Sequence, residues 1–139
     1  MTDKIFIDTN ILVYAHDASA GDKYDKARDV FLDLWKNKTG CLSIQVMQEF
    51  YVTVTQKVAR PMDHLTAAGI IQNLSYWRVH EPKSGDVIRA IDLQQRYKVS
   101  FWDAMILQSA SQLDCSAIWS EDLSPGQAYE GMRLVNPLN

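Results

Sequence analysis

The first chemically informative feature of this chain is an acid placed directly after a short apolar run. Residues 5–7 are Ile-Phe-Ile, and Asp8 follows them at once, with Thr9 and Asn10 as small polar neighbours. A run of this kind predicts a strand that is buried on both faces. Its carboxyl end is the edge at which open α/β sheets bind ligands. Asp8 could also be a helix N-cap, but a site at this edge explains its polar neighbours as well.

A second acidic strand end lies near the other terminus. Residues 116–119 are Ser-Ala-Ile-Trp, and Ser120, Glu121 and Asp122 follow them. Alternation along this segment does not decide which of the two acids points inward. Two strands that end in acids can deliver carboxylates to one point in space. A protein without a dedicated metal loop can build a divalent-cation site in this way.

Two further acids are candidates on weaker grounds. Asp103 stands three residues after Ser100, which matches the S-x-x-D capping box. A carboxylate in the first turn of a helix is held rigidly near the sheet edge, so the cap and the site are compatible. Glu49 lies on a predicted helix, roughly 150° from the centre of its apolar stripe. Its position alone therefore predicts a solvent-facing side chain, with a water-filled cleft at the start of the helix as the alternative.

Strands and helices alternate along the whole chain. Helices are predicted over about 23–37, 45–59, 64–75, 84–98 and 100–113, with a short helix beginning near Ile11. Strands are predicted at 5–7, 40–43, 76–80, 116–119 and 132–135, and a loop at 124–126. Alternation with short connections predicts an α/β fold in which a single parallel sheet of four to five strands has helices on both faces.

Length and composition narrow the class of protein. A chain of 139 residues predicts a single domain over residues 1–139 with a core of its own. Neither a membrane-spanning run nor a signal peptide is visible, so we expect a cytoplasmic protein. Cys41 and Cys115 lack metal-type spacing and are predicted to be buried thiols. A net charge of −3 argues weakly against nucleic-acid binding through broad electrostatics, although it permits a local basic rim.

Several other chemistries find no support in the sequence. It contains neither a GxxxxGK[ST] or GxGxxG phosphate loop nor a G-x-S-x-G nucleophile elbow. His16, His64 and His80 have no metal-type spacing and are predicted to be surface or turn residues. A phosphatase of the haloacid-dehalogenase type also places an Asp after its first strand. That family requires D-x-D, whereas Asn10 occupies the third position here.

Four short motifs, taken in order, resemble those of PIN-domain ribonucleases, and especially the VapC-like toxins of bacterial toxin–antitoxin pairs. The motifs are FIDTNIL at 6–12, QEF at 48–50, FWDAMIL at 101–107 and WSEDL at 119–123. Each is weak alone, but the ordered set spans most of the chain. The resemblance implies a PIN-like fold, with a parallel sheet flanked by helices.

The resemblance also implies a site of four metal-binding acids. It assigns this role to Asp8, Glu49, Asp103 and Asp122. It favours Asp122 over Glu121 because the family pattern has Asp two residues after a small hydroxyl residue. For Glu49 it contradicts the solvent-facing orientation. Supporting polar roles fall to Thr9, Asn10 and Ser120.

On this resemblance the protein is an endoribonuclease that uses Mg²⁺ or Mn²⁺. Four crowded carboxylates would repel one another, and a hard cation with oxygen ligands relieves that repulsion and activates water against the scissile phosphate. The resemblance further implies an RNA substrate, an antitoxin protein as partner, and a homodimer. The first half of the chain contains more aromatic residues than a small helix-covered sheet can bury. Apolar surface left exposed marks an interface, so we expect a homodimer formed chiefly through helices of the first half. The aromatic residues are Tyr14, Phe31, Trp35, Phe50, Tyr51 and Trp77. A non-catalytic PIN-fold module that binds RNA or protein remains the alternative.

Overall fold

The sheet is built from short strands whose successive residues are both buried. The computed structural model describes residues 3–123 and 128–139. Phe6 and Ile7 are completely buried, and successive strand residues point to opposite faces, so both faces of the sheet are covered. The strands are β1 (Ile5–Ile7), β2 (Gly40–Ser43), β3 (Arg78–His80), β4 (Ala117–Trp119), β5 (Ala128–Tyr129) and β6 (Met132–Val135).

Five of these strands run parallel, in the spatial order β3-β2-β1-β4-β6, and β5 pairs antiparallel with β6 at the edge. The predicted parallel, helix-covered sheet is therefore confirmed. β5 is an addition to the predicted four to five strands, because a pair of residues is too short to show alternation in the sequence. The predicted loop at 124–126 lies outside the described residues.

Several helices begin at capping residues that the sequence provides. Ser43, Asp63 and Ser100 each accept a hydrogen bond from a backbone N–H in the first turn of the helix that follows. A short 3₁₀-helix at Ala18–Ala20, absent from the sequence prediction, follows the first helix. The helices are α1 (Thr9–His16), α2 (Asp22–Asn37), α3 (Ile44–Gln56), α4 (His64–Leu74), α5 (Ser84–Tyr97) and α6 (Phe101–Gln112).

The core lies between the sheet and these helices. α6 is buried from Ala104 to Ala110 and packs against α5, while α1 packs against α2 and α3. Cys41 and Cys115 are buried free thiols, as predicted. Six aromatic residues were expected to include some that the fold leaves exposed, and Trp35 alone among them is strongly exposed. The fold therefore covers most of the aromatic surface that was expected to face solvent. In the described part of the chain, no helix is long and apolar enough to cross a membrane.

Candidate active site

The order in which the chain adds strands to the sheet reverses at β1. It moves from β1 outward to β2 and β3, and then returns to lay β4 and β6 on the other side of β1. Ile7 pairs with Trp119, so the carboxyl ends of β1 and β4 are level. Ser120 Oγ donates a 2.7 Å hydrogen bond to Asp8 Oδ2 across this junction. Ligands of open α/β sheets bind at such a reversal, outside the carboxyl ends of the strands.

Asp8 both caps α1 and contributes to the site. Its Oδ1 accepts a 2.7 Å hydrogen bond from the backbone N–H of Thr9, and the side chain is 6% exposed. Burial raises the pKa of Asp8 to about 6 against the lowering effect of the Ser120 and Thr9 hydrogen bonds. The charges of Asp103 and Glu49 raise the pKa further. The carboxylate is therefore fixed in position and electrostatically coupled to two other acids.

The helical position of Glu49 predicts that its side chain faces bulk solvent, but in the structure it does not. It is partly buried on α3, and its Oε1 accepts a 2.8 Å hydrogen bond from Thr9 Oγ1. The expectation was wrong because α3 borders a cleft on the side away from its apolar stripe. Gln45 and Val52, about one turn to either side of Glu49 on α3, line the same cleft.

Asp103 lies in the first turn of α6, where the S-x-x-D pattern placed it. Its backbone N–H donates a 3.0 Å hydrogen bond to Ser100 Oγ, so the predicted serine cap is confirmed. Burial raises the pKa of Asp103, and the charge of Asp122 raises it further, while a hydrogen bond with Ser100 opposes them. The four acids are thus electrostatically connected: Asp8 to Asp103 and Glu49, and Asp103 to Asp122.

Glu121 and Asp122, which the sequence left unresolved, have different surroundings. Glu121 accepts a 2.8 Å hydrogen bond from the Tyr14 hydroxyl and forms a 2.7 Å ion pair with Lys23. These two contacts hold the pKa of Glu121 below its ordinary value even though partial burial opposes them. Asp122 lies on the wall of the cleft instead, and its backbone N–H donates to Ser120 Oγ at 3.1 Å.

All four acids line a single cleft of about 710 Å³. None of the four forms an ion pair within the described residues. Lys57 is the one cation among the described residues that line the cleft. The full lining is Asp8, Thr9, Asn10, Val13, Tyr14, Asp17, Gln45, Gln48, Glu49, Val52, Thr53, Lys57, Val58, Trp102, Asp103, Ile106 and Asp122.

The chemistry of this donor set fits a hard divalent cation, although the carboxylates do not form a closed cluster. Over residues 3–123 and 128–139, no three His, Cys, Asp or Glu side chains are close enough together to hold an ion as they stand. The site nevertheless presents oxygen ligands alone, which Mg²⁺ and Mn²⁺ prefer, and lacks the Cys and His ligands typical of zinc sites.

Trp102, Lys57 and Asp17 also line the cleft, although the sequence analysis did not assign them to the site. Trp102, next to Asp103, is 62% exposed, and no apolar pattern marks it because its ring contributes little to the core. Lys57 follows the last turn of α3. Asp17 also lines the cleft, but its carboxylate caps the 3₁₀-helix through Ser19. The exposed ring of Trp102 and the Lys57 ammonium could have been found only from their place in the fold.

Asn10 occupies a distinctive position beside these acids. Its Oδ1 accepts a 3.3 Å hydrogen bond from the Glu121 backbone N–H. Its Nδ2 is buried and has no hydrogen-bond partner among the described residues. A buried donor without a partner carries a free-energy cost, so a ligand acceptor or a water molecule is expected to reach it.

A second group of polar residues has the residue types of a hydrolase triad, but a substrate cannot reach it. His80 Nδ1 lies 2.8 Å from Ser109 Oγ, and His80 Nε2 lies 3.4 Å from Asp86 Oδ2. Ser109 is completely buried, so no substrate carbonyl can approach its hydroxyl. The group is a structural network between β3, α5 and α6. The prediction that His80 is a surface or turn residue was wrong, because the local sequence does not show that β3 packs against α6, which supplies Ser109.

The fold and the acidic edge of its sheet define an α/β protein of PIN-like architecture. The model of the PIN domain family matches residues 5–128. The chain therefore belongs to the PIN domain family.

Solved structures with this fold include toxins of toxin–antitoxin pairs. VapC20 of Mycobacterium tuberculosis, a toxin that cleaves the sarcin–ricin loop, has a TM-score of 0.68 and 18% identity, covering 86% of this chain and 90% of that chain. A toxin–antitoxin complex from Klebsiella pneumoniae has a TM-score of 0.70 and 21% identity, with coverage of 96% and 98%. VapBC2 of Rickettsia felis, bound to promoter DNA, gives 0.64 and 18%, with coverage of 94% and 96%. No curated protein matches the chain.

Proposed function

We propose that this protein is a metal-dependent endoribonuclease that hydrolyses RNA phosphodiester bonds in the acidic cleft, and that it is the toxin of a type II toxin–antitoxin pair. The observation that carries the proposal is the convergence of Asp8, Glu49, Asp103 and Asp122 on one cleft without cationic partners. Four carboxylates without ion pairs lower the stability of a fold. Such an arrangement is expected where a bound cation compensates for it.

Asp8, Glu49, Asp103 and Asp122 would hold the Mg²⁺ or Mn²⁺ ion. When bound, such an ion supplies Lewis-acid stabilisation of charge on the phosphate and lowers the pKa of water. The side chains themselves provide position and protonation state. Ser120 holds Asp8 Oδ2, and Thr9 holds Glu49 Oε1, so two carboxylates are oriented before any ligand arrives.

The remaining cleft residues suit a single RNA strand. Lys57 lines the cleft and can pair with a phosphate of the substrate. The exposed ring of Trp102 is available for stacking against a base next to the scissile bond. Single-stranded segments expose base faces to such rings, whereas a duplex does not.

The proposal has four further parts, which are an antitoxin partner, a homodimer, a cytoplasmic location and a single domain over residues 1–139. Several solved structures with this fold are toxin–antitoxin complexes, which supports an antitoxin partner. Exposed apolar residues supply surface for protein contacts, but they are not confined to the helices of the first half. They include Leu32 and Trp35 on α2, and Val87, Ile88 and Ile91 on α5.

The alternative is a PIN-fold module that binds RNA or protein without cleaving it. Such a module needs no set of acids that lacks ion pairs, so the four-acid cleft favours the nuclease. The two functions differ in one observable, which is whether the phosphodiester bond is broken.

The test is cleavage of a labelled single-stranded RNA by the purified protein, with Mg²⁺, with Mn²⁺ and with EDTA. We expect cleavage with either ion, none with EDTA, and none by Asp103→Asn. Glu121→Gln is the matched control, because it removes a neighbouring carboxylate that does not line the cleft. Cleavage that survives EDTA, or Asp103→Asn, would refute the proposal. Binding without cleavage under every condition would establish the non-catalytic module.

A further inference from the structure

A second cleft lies at the amino ends of the strands, whereas the acids lie at their carboxyl ends. Its volume is about 570 Å³, within the range of small-molecule sites. Gly40 begins β2 and Arg78 begins β3, so this cleft adjoins the amino ends of the two strands. We call it the aromatic–basic pocket. Its lining residues are Trp35, Lys38, Gly40, Tyr76, Trp77 and Arg78.

The floor of the aromatic–basic pocket is the closely packed ring of Trp77. The six-membered ring of Trp77 lies so close to Gly40 that a Cβ atom there would be 2.4 Å from Cζ3 of the indole. Phe31 stacks on Trp77 with ring centroids 5.3 Å apart and planes 28° from parallel. Trp77 is therefore fixed by Gly40 and by an aromatic neighbour before any ligand binds.

Two further rings of the pocket present surface to solvent. Trp35 lies 5.9 Å from Trp77 between ring centroids and is 41% exposed. Tyr76 is 85% exposed, so its ring contributes little to the core. Planar rings beside Trp77 that expose surface to solvent are what a flat aromatic ligand needs for stacking.

Both cations of the pocket lack acidic partners. Lys38 and Arg78 form no ion pair within the described residues, and no carboxylate lines the pocket. Arg78 Nη1 donates a 3.2 Å hydrogen bond to the Lys38 carbonyl, which keeps the guanidinium beside the lysine. In a chain of net charge −3, this is a local positive site, suited to an anion.

We propose that the aromatic–basic pocket binds a nucleotide, with its base stacked on Trp35 or Tyr76 and its phosphate held by Lys38 and Arg78. An acidic peptide would satisfy the cations but leave the ring faces uncovered, whereas a nucleotide uses both. The nucleotide is either free or one unit of a single-stranded RNA. Nothing in this inference requires that the protein cleaves RNA.

The chain offers a matched pair of variants that separates binding from folding. Lys38 ends α2 with φ 58° and Lys98 ends α5 with φ 57°, so both lysines occupy the left-handed conformation that glycine prefers. Lys38→Gly and Lys98→Gly therefore have similar effects on the backbone. The substitution at Lys38 removes a cation from the pocket, and the one at Lys98 does not.

The experiment is an NMR titration of AMP into the metal-free protein in EDTA, which follows the indole N–H signals of the tryptophans. We expect saturable shifts of the Trp35 and Trp77 signals, at least about fivefold weaker binding of AMP to Lys38→Gly, and unchanged binding to Lys98→Gly. Adenosine, which lacks the phosphate that Lys38 and Arg78 would hold, should bind less well than AMP.

Three results would overturn the inference: no shift of either signal at millimolar AMP, equal binding by the two glycine variants, or an oligoglutamate peptide that displaces AMP and binds as tightly. A short RNA that binds more tightly than AMP identifies the strand as the source of the nucleotide; equal affinity identifies the free nucleotide. Because EDTA is present throughout, failure here leaves the nuclease proposal intact, and the converse also holds.

Discussion

Asp8→Asn is expected to abolish cleavage and yet to stabilise the metal-free protein at neutral pH. Asp8 is almost completely buried, and its pKa is about 6 instead of its ordinary 3.8. A tenfold change in proton affinity corresponds to about 1.4 kcal/mol, so ionised Asp8 lowers the free energy of unfolding by about 3 kcal/mol at pH 7. Asparagine removes this charge.

The substitution preserves the local hydrogen bonds. The Asn oxygen can still accept from the Thr9 N–H, and its amide nitrogen can donate to Ser120 Oγ, since a hydroxyl both donates and accepts. We therefore expect a gain of about 1–3 kcal/mol at pH 7 and a rise in melting temperature of roughly 3–10 °C. Asp8→Ala is the control, because it removes the charge and also the cap, which costs about 1 kcal/mol.

The effect has a defined pH dependence. Because the pKa of Asp8 is higher in the folded state than in the unfolded state, the folded state binds more protons between about pH 4 and pH 6. The stabilising contribution of protonated Asp8 is complete below about pH 4 and is lost as the pH rises through 6. The wild-type protein should therefore lose up to about 3 kcal/mol relative to Asp8→Asn across this interval.

The assay is urea unfolding in EDTA at a series of pH values on either side of this interval. The wild-type and Asn proteins should have similar free energies of unfolding at the acidic end and should diverge towards neutral pH. If Asp8→Asn is less stable at pH 7, or if the difference does not change with pH, the reasoning about burial and repulsion is refuted.

Three further predictions concern the acidic site and the contacts that support it. Glu49→Gln should lower the cleavage rate at least about tenfold, as loss of a metal-site residue does, while Glu121→Gln should change it little; equal rates for the two would remove Glu49 from the site. Mg²⁺ or Mn²⁺ should raise the melting temperature of the wild-type protein and not that of Asp8→Asn, measured by differential scanning calorimetry; an equal rise in both would place the ion elsewhere. Ser120→Ala should lower the metal-free free energy of unfolding by about 1 kcal/mol in urea at pH 7, because ionised Asp8 loses a hydrogen bond; an unchanged value would show that this contact is not stabilising.

The parts of the fold that local sequence determines were predictable. The strand at 5–7 is a short apolar run, and a polar residue that can cap a helix follows at once. Ser43, Asp63 and Ser100 mark helix starts because their side chains satisfy N–H groups a few residues away. β5 was not predictable, since two residues show no period and its pairing with β6 is what makes it a strand.

The parts of the site that depend on distant contacts were not predictable from residues alone. Glu49 was expected to face solvent because an apolar stripe identifies the core side of a helix and says nothing about a cleft on another side. Glu121 is held by Tyr14 and Lys23, which precede it by about a hundred residues in the chain. The burial of His80 likewise depends on a distant contact, since Ser109 on α6 is 29 residues further along the chain. For Glu49, the resemblance to PIN-domain ribonucleases pointed to the cleft, whereas the local apolar pattern did not.

The central claim, that the acidic cleft binds the ion on which RNA cleavage depends, is tested most directly by measuring Mn²⁺ binding and cleavage on the same samples. Electron paramagnetic resonance reports free Mn²⁺, and therefore bound Mn²⁺ by difference, while a labelled RNA reports the cleavage rate. Occupancy and rate should rise together in the wild-type protein, and Asp122→Asn should weaken both, whereas Glu121→Gln should weaken neither. Cleavage that reaches its full rate with no bound Mn²⁺, or Mn²⁺ binding that is unaffected by Asp122→Asn and Asp8→Asn, would contradict it.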